Sequence, residues 1–388
     1  MKALRSCSAL VLLTAVAVPV LGQGTTVIGQ DSSNRVITTA VPFLTITPDA
    51  RASGMGETGV ATSADANAPY WNIAKLVFSE KDYGFAISYT PWLSKIINDM
   101  SVSYLSGYYK ITREQAVAMS MKYFDLGEIQ FNKGPNPADQ LGTFNPREFA
   151  LDVAYSRMLI EQKLSIGGAL RYIHSNLTGA LTGSSGSDAR PGNTVAVDVG
   201  IYYTKPSRSN NSELALAAII TNMGGKISYN DQFTKDFIPT NLRMGGSYKF
   251  FLDPTNTMTF ALDFNKLMVP SPLSGRDSVG VLSGWFGSFT DAPGGFEEEM
   301  QEIMISSGVE YWYNDLFAAR IGYFYENPNK GNRQLFTGGV GFRYQKFGID
   351  IAYQVPTNKK ENPLAEAVRF SLFMNFEKTV REQDSVTD

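Results

Sequence analysis

Phe347-Gly348-Ile349-Asp350-Ile351-Ala352-Tyr353-Gln354-Val355 decides the fold. One parity of this segment reads Phe347, Ile349, Ile351, Tyr353 and Val355; the other reads Gly348, Asp350, Ala352 and Gln354. A period of two is that of a β-strand, whose successive side chains leave opposite faces. Ser165 to Ile173 behaves the same way, with Ile166, Leu170 and Tyr172 set against Ser165, Ala169 and Arg171. In Thr194 to Tyr203 the apolar set is Val195, Val197, Val199, Ile201 and Tyr203, and Asp198 points the other way. Charges keep to one parity, so one face meets hydrocarbon and the other does not.

Working outward, the same alternation predicts strands near 83–91, 100–111, 115–127, 147–160, 163–175, 193–204, 212–222, 240–252, 256–265, 301–313, 315–327, 333–345, 346–355 and 366–377. That is about fourteen, an even number in the bacterial outer-membrane range. The joins alternate in length. Tight ones are Glu161-Gln162, Asp253-Pro254-Thr255, Asn314-Asp315 and Gln345-Lys346, built from turn formers or bare reversals. Long ones are 128–146, 176–192, 223–239 and 266–300. A soluble sandwich has no reason to sort its loops by end, whereas an outer-membrane barrel keeps short turns in the periplasm and long loops outside. The expected fold is therefore an all-β transmembrane barrel of antiparallel strands over residues 81–377, with both termini periplasmic. The last strand, with Val368, Phe370, Leu372, Met374 and Phe376 on one parity, resembles the C-terminal assembly signal of such barrels, and is followed by a polar tail at 378–388.

The first 22 residues carry Lys2 and Arg5, then the apolar run Ala9 to Leu21, in the order of a secretory signal cleaved near Gly22. Cys7 precedes the apolar run, so it is not placed for lipidation and leaves with the signal. The mature chain then has no cysteine, which excludes disulfides and thiolate metal sites in an oxidising compartment. Losing Lys2 and Arg5 and no acidic residue takes the net charge from −3 to −5. A nucleic-acid partner would call for the opposite sign and a basic stripe. Residues 23–47 are expected as a periplasmic leader. Residues 48–80 are rich in Ala, Gly and Ser and lack alternation, the composition of a plug packed inside the barrel.

Gly54-Met55-Gly56-Glu57-Thr58-Gly59 matches the dinucleotide fingerprint letter for letter. That fingerprint binds pyrophosphate only between a strand and a helix N-terminus; no such context surrounds it, and close packing of the plug accounts for the glycines. The sole histidine, His174, closes a strand at the mouth of a long loop and lacks the companion ligands a zinc site needs. Glu297-Glu298-Glu299 with Glu302 reads as a solvated acidic stretch opening a short helix, Glu297 to Met304, since adjacent carboxylates do not converge on one Ca²⁺ without a loop that folds them back. No Ser/His/Asp grouping marks a nucleophile, and no cofactor is expected.

Apolar residues in the long loops stand out. Trp92, Ile96 and Ile97 lie in the first, and Trp285, Phe286, Phe289 and Phe296 in the longest. Such residues are costly in water unless covered. They either fold over the barrel mouth and into an aromatic belt, or meet a partner protein or an apolar ligand.

Asp49-Ala50-Arg51-Ala52-Ser53-Gly54-Met55-Gly56-Glu57-Thr58-Gly59, followed by Tyr70-Trp71-Asn72-Ile73-Ala74-Lys75, resembles the N-terminal hatch of FadL-like barrels. An Asn-Pro-Ala-Gly sequence is usual there; here it reads Asn72-Ile73-Ala74-Lys75. With Thr45 to Arg51 and Thr221-Asn222-Met223-Gly224-Gly225-Lys226-Ile227, the chain is most similar to the PorV family over nearly the whole mature length. The resemblance implies a non-enzymatic outer-membrane component of the type IX secretion system of Bacteroidetes. Its implied partners are the C-terminal signal domains of secreted cargo, the translocon barrel Sov or SprA, and the attachment-complex proteins PorU, PorZ and PorQ, besides outer-membrane lipid. Its implied work is to receive cargo at the translocon and shuttle it to the attachment complex. The alternative is a FadL-type channel for hydrophobic solutes. Against a greasy passage stand Arg171, Asp198, Arg320 and Asp350, which alternation places in the lumen, where charges pair with one another or with a plug. An enzyme of surface modification is a third class, without an assignable catalytic group.

Overall fold

The computed structural model describes residues 35–92, 99–132, 140–177, 190–229, 235–272, 278–357 and 367–378. Its strands are β1 Tyr83–Pro91, β2 Ser101–Lys110, β3 Gln115–Asp125, β4 Ile129–Asn132, β5 Gln140–Phe144, β6 Arg147–Ile160, β7 Leu164–Asn176, β8 Gly192–Ser207, β9 Ser212–Gly224, β10 Asn241–Phe251, β11 Asn256–Leu267, β12 Ile303–Tyr313, β13 Phe317–Tyr325, β14 Gln334–Tyr344, β15 Phe347–Pro356 and β16 Ala367–Phe376. All but β4 and β5 close into one antiparallel barrel in chain order, with β16 returning to β1 and Phe376 opposite Tyr83. The fourteen barrel strands are those the alternation predicts. β4 and β5 pair only with each other, inside the long join between β3 and β6.

Parity decides which way each face turns. In β15 the side chains of Phe347, Ile349, Ile351 and Tyr353 lie exposed on the outside, and Gly348, Asp350, Ala352 and Gln354 are buried in the lumen. A charge on the lipid face would cost roughly 2–4 kcal/mol at mid-bilayer, which is why Asp152, Asp198, Asp263, Glu310 and Asp350 all take the inner parity. The tight reversals work by left-handed backbone. Asn314 and Asp315 have φ of 53° and 50° and are the two central residues of a turn closed by Leu316 N on Tyr313 O at 3.0 Å.

Residues 35–47 correct one expectation. Instead of trailing from the short-turn end, they lie in the barrel mouth at the long-loop end. Ala40 N donates to Phe237 O at 2.9 Å, and Phe43 stacks on Phe124 with centroids 6.4 Å apart. Phe43 and Leu44 sit in one apolar cluster with Val102, Phe124, Ile173, Ile227 and Ile238. Each such side chain gains on the order of 1.5–3 kcal/mol by burial, which a solvated leader would forgo. Arg35 is held at that end by Glu298, whereas Lys378 N donates to Asp82 at the short-turn end. The first and last described residues thus lie at opposite ends of the barrel. The signal segment 1–22, residues 23–34 and the tail beyond Lys378 lie outside the described residues.

From Pro48 the chain descends through the lumen as the plug: helices α1 Ala50–Ser53 and α2 Ala68–Trp71, then a 3₁₀ segment Ile73–Phe78 that leads into β1.

Candidate functional site: the plug and the long-loop face

Asp49 opens α1 as its N-cap. One oxygen accepts from Ala52 N at 2.9 Å and the other from Trp71 Nε1 at 2.7 Å, so a single carboxylate ties the two plug helices together. Arg51 reaches the wall. It donates to both oxygens of Glu310 on β12, at 2.9 and 2.7 Å, and to Asp65 and Ser63 within the plug. Glu310 also accepts from Arg320, which donates on to Asp350, itself paired with Arg343. A second network joins Arg171 to Asp152 and Asp198. The lumen charges inferred from alternation thus pair with one another and with the plug.

The glycine run is a contact surface. Gly56 has φ of +68°, and a β-carbon there would meet Ser307 O at 2.5 Å and Tyr323 N at 2.6 Å. Its N–H donates to Thr337 Oγ1 at 2.8 Å. Gly54 lies against Gly339 of the wall, and Gly59 against the Trp71 ring. Gly59 N and Val60 N both donate to Asp263 on β11, at 2.7 and 2.9 Å. Tyr70 OH donates to Thr45 O, and Asn72 Nδ2 donates to Ile201 O of β8 while its Oδ1 caps Ala74 N. The eight plug residues singled out from sequence, Asp49, Arg51, Gly54, Gly56, Gly59, Tyr70, Trp71 and Asn72, are therefore brought together as one buried lock between plug and wall. The amides of Gly54, Gly56 and Gly59 are already spent on Ala50 O, Thr337 and Asp263.

Thr221-Asn222-Met223-Gly224 has its own task. Asn222, at φ +58°, sits at the register shift opposite Asp198, and its N–H donates to that carboxylate at 2.7 Å. Its Nδ2 donates to Pro239 O, and its Oδ1 accepts from Arg171. The bulge turns the end of β9 inward and anchors the join that follows.

At the other end lies the long join between β11 and β12. It carries α3 Val281–Gly287 and α4 Phe296–Gln301. Lys266 Nζ contacts Glu299 and Glu302 at 2.9 and 2.6 Å; Lys330 Nζ contacts Glu298 and Glu302 at 2.8 and 2.9 Å; Arg35 reaches Glu298 at 2.9 Å. The acidic stretch is therefore not simply solvated, as its sequence suggests: Glu299 and Glu302 are buried and paired, and only Glu297 is left fully exposed. Burial opposes ionisation of Glu298, but the hydrogen bonds from Lys330 and Gly294 outweigh it and hold the carboxyl below its usual range. Burial likewise opposes the charge on Lys330, and its bonds to Glu298 and Glu302 raise it nonetheless. Asp291, which accepts from Ser271, is pushed up by burial. Alternation gave no sign of this clasp, since its cations come from β11, from the β13–β14 join and from Arg35 ahead of the plug.

With the join clasped down, its outward side is apolar. Phe296 is 80% exposed, Phe286 71% and Leu282 64%, with Phe289 and Met300 beside them in sequence. Trp285 is half-buried, and Gly284 packs on Phe237 and Pro270. Trp92 turns out to be half-buried against the cluster that includes Phe43, so it belongs to the packing of the mouth. Ile96 and Ile97 lie outside the described residues. His174 faces outward at the rim, hydrogen-bonded to Asn193 at 2.8 Å and tilted on Phe149.

Many solved structures are similar, among them the following three. The monoaromatic hydrocarbon channel TodX deltaS2S3 mutant matches at a TM-score of 0.50 and 12% identity, over 84% of this chain and 99% of that one. The Pseudomonas putida toluene transporter TodX matches at 0.49 and 11% identity over 86% and 99%. A Pseudomonas aeruginosa FadL homologue matches at 0.46 and 11% identity over 89% and 100%. At such identities the likeness concerns the fold alone, and the first of the three carries it. No curated protein matches the chain. The family described as type IX secretion system protein PorV matches residues 29–274, a span that takes in the plug, the Asn222 bulge and β1 to β11, and the chain belongs to that family of outer-membrane secretion proteins.

Proposed function

We propose that this barrel binds the C-terminal signal domain of secreted cargo on its long-loop face, at the translocon barrel Sov or SprA, and hands it to the surface attachment complex of PorU, PorZ and PorQ. The long loops then face outside the cell and the short turns the periplasm, as is general for bacterial barrels. The observation that carries this reading is the apolar set Leu282, Phe286 and Phe296 held outward on a join clasped by buried ion pairs. Aromatic anchors on a rigid base are what a protein interface uses for most of its affinity. The role is non-enzymatic. Passage of a hydrophobic solute is less well supported, because the lumen cavity beside Trp71 is only about 60 Å³, and Glu57, Arg243, Glu326 and Arg333 line it together with Leu267, Met304 and Phe324.

Deleting residues 280–292 while the barrel still assembles is expected to abolish co-purification with a cargo signal domain. Undiminished capture by the assembled deletion variant would remove this loop from the function.

A further inference from the structure

A depression of about 570 Å³ lies on the outer wall across β8 to β11. Tyr203, Leu216, Met244 and Leu262 stand around it, and its floor is made by the small residues Ala218 and Gly246. Pairing orders these side chains into rows. Tyr203 opposes Leu216, which opposes Gly246, which opposes Leu262; the next row inward runs through Ile201, Ala218, Met244 and Phe264. All are on the outward parity, so the hollow opens to hydrocarbon, and its volume is within the roughly 300–1,000 Å³ of pockets that enclose an organic ligand.

The row beyond Tyr203, toward the short turns, is Lys205, Leu214, Tyr248 and Phe260. Tyr248 OH bonds Ser212, the arrangement of an aromatic at a membrane–water boundary. Lys205 is exposed there on the lipid-facing parity. Among the described residues it has no ion-pair partner: Glu213, the acid nearest in register, turns to the lumen side and accepts from Thr204. One cation at the boundary thus stands about 7 Å along the strand, two residues, from the mouth of an apolar hollow.

We infer that this notch is a built site for one phospholipid, its phosphate on Lys205 and an acyl chain lying over Gly246 and Ala218. The cation and the hollow match the two halves of that molecule and its order of depth. With the short turns in the periplasm, which rests on the orientation proposed above, the occupant comes from the inner leaflet.

The test is native mass spectrometry, with lipid extraction, of the full-length protein taken from its own outer membrane in mild detergent. Wild type is expected to retain one phospholipid. Gly246→Leu with Ala218→Leu fills the hollow and should lose it, with folding checked by heat-modifiable gel mobility. Lys205→Glu, at an exposed position that does not bear on folding, should reduce retention by at least about fivefold, the worth of one cation at an anionic membrane surface. Equal retention by the wild type and Lys205→Glu, or a protein rather than a lipid protecting the notch, overturns the inference. Wild type that keeps no lipid overturns it and leaves the orientation standing; lipopolysaccharide in the notch overturns both.

Discussion

The lumen and the long-loop face use the same ion-pair chemistry to different effect. Inside the barrel, Arg51, Arg320 and Arg343 share Glu310 and Asp350, and the pairs lock a plug against a wall. At the mouth, Lys266, Lys330 and Arg35 share Glu298, Glu299 and Glu302, and the pairs hold down a loop whose far side is apolar and open. Buried ions fix positions more than they add stability, since desolvation consumes much of their attraction. What differs is what each network leaves uncovered. The lumen leaves almost nothing; the mouth leaves Phe286 and Phe296.

The sharpest way to break the lumen side is Glu310→Ala. It removes the carboxylate that two buried guanidinium groups share, leaving Arg51 with Asp65 and Arg320 with Asp350, and is expected to cost up to about 3–5 kcal/mol, read as a lower thermal unfolding temperature of the detergent-solubilised barrel. An unchanged transition would mean that the plug is held elsewhere.

A matched pair of glycines compares the two regions directly. Gly56 in the plug and Gly295 before α4 have nearly the same φ, +68° and +69°, but a β-carbon meets wall backbone at Gly56 and nothing within 4 Å at Gly295. Alanine at either position carries a positive-φ cost of about 1–3 kcal/mol, Gly295 lying at ψ −152° in a region that glycine alone favours. At Gly56 overpacking adds about 1–3 kcal/mol more. Gly56→Ala should therefore destabilise more and expose the plug to protease. Equal effects would contradict the close plug–wall contact.

On the open side, Phe286→Ala and Phe296→Ala are each expected to weaken cargo binding by about 2 kcal/mol, the threshold of a hot spot. Stability should move by no more than about 0.5 kcal/mol, as for other exposed positions. Equal affinity for the double variant would leave these rings without a partner.

The smallest effect expected is on pH. Glu298 is held below its ordinary range, so its share of the clasp is present above the usual carboxylate value and is lost as pH falls through the lower, folded one. Lys330 is raised, so its share is present below the usual lysine value and is lost only as pH rises through the higher, folded one. Asp291, raised by burial, gains from acidification and offsets part of the first loss. Protease protection of the loop should thus be flat around neutrality and fall only in acid, below about pH 4. A fall between pH 6 and 8 would point to a different clasp.

The sequence by itself determined the barrel, the number of strands, the end on which each join lies, the plug and the aromatic loop. All of these follow from local pattern: a period of two, turn residues at fixed intervals, and small residues where alternation stops. It also placed Asp198, Arg171, Arg320 and Asp350 in the lumen, because parity is local too. Only the tertiary structure decided the partners. Arg51 finds Glu310 across 259 positions of chain, and the acidic run 298–302 finds Lys266 and Lys330 because closure of the barrel brings the ends of β11, β12 and the β13–β14 join together. The course of residues 35–47 was decided in the same way. Their apolar side chains carry no period, and where they are buried depends on a mouth assembled from β2, β3, β7 and the β9–β10 join. Charge pairing and the seating of an irregular segment depend on which surfaces meet after closure, and no stretch of a single strand contains that information.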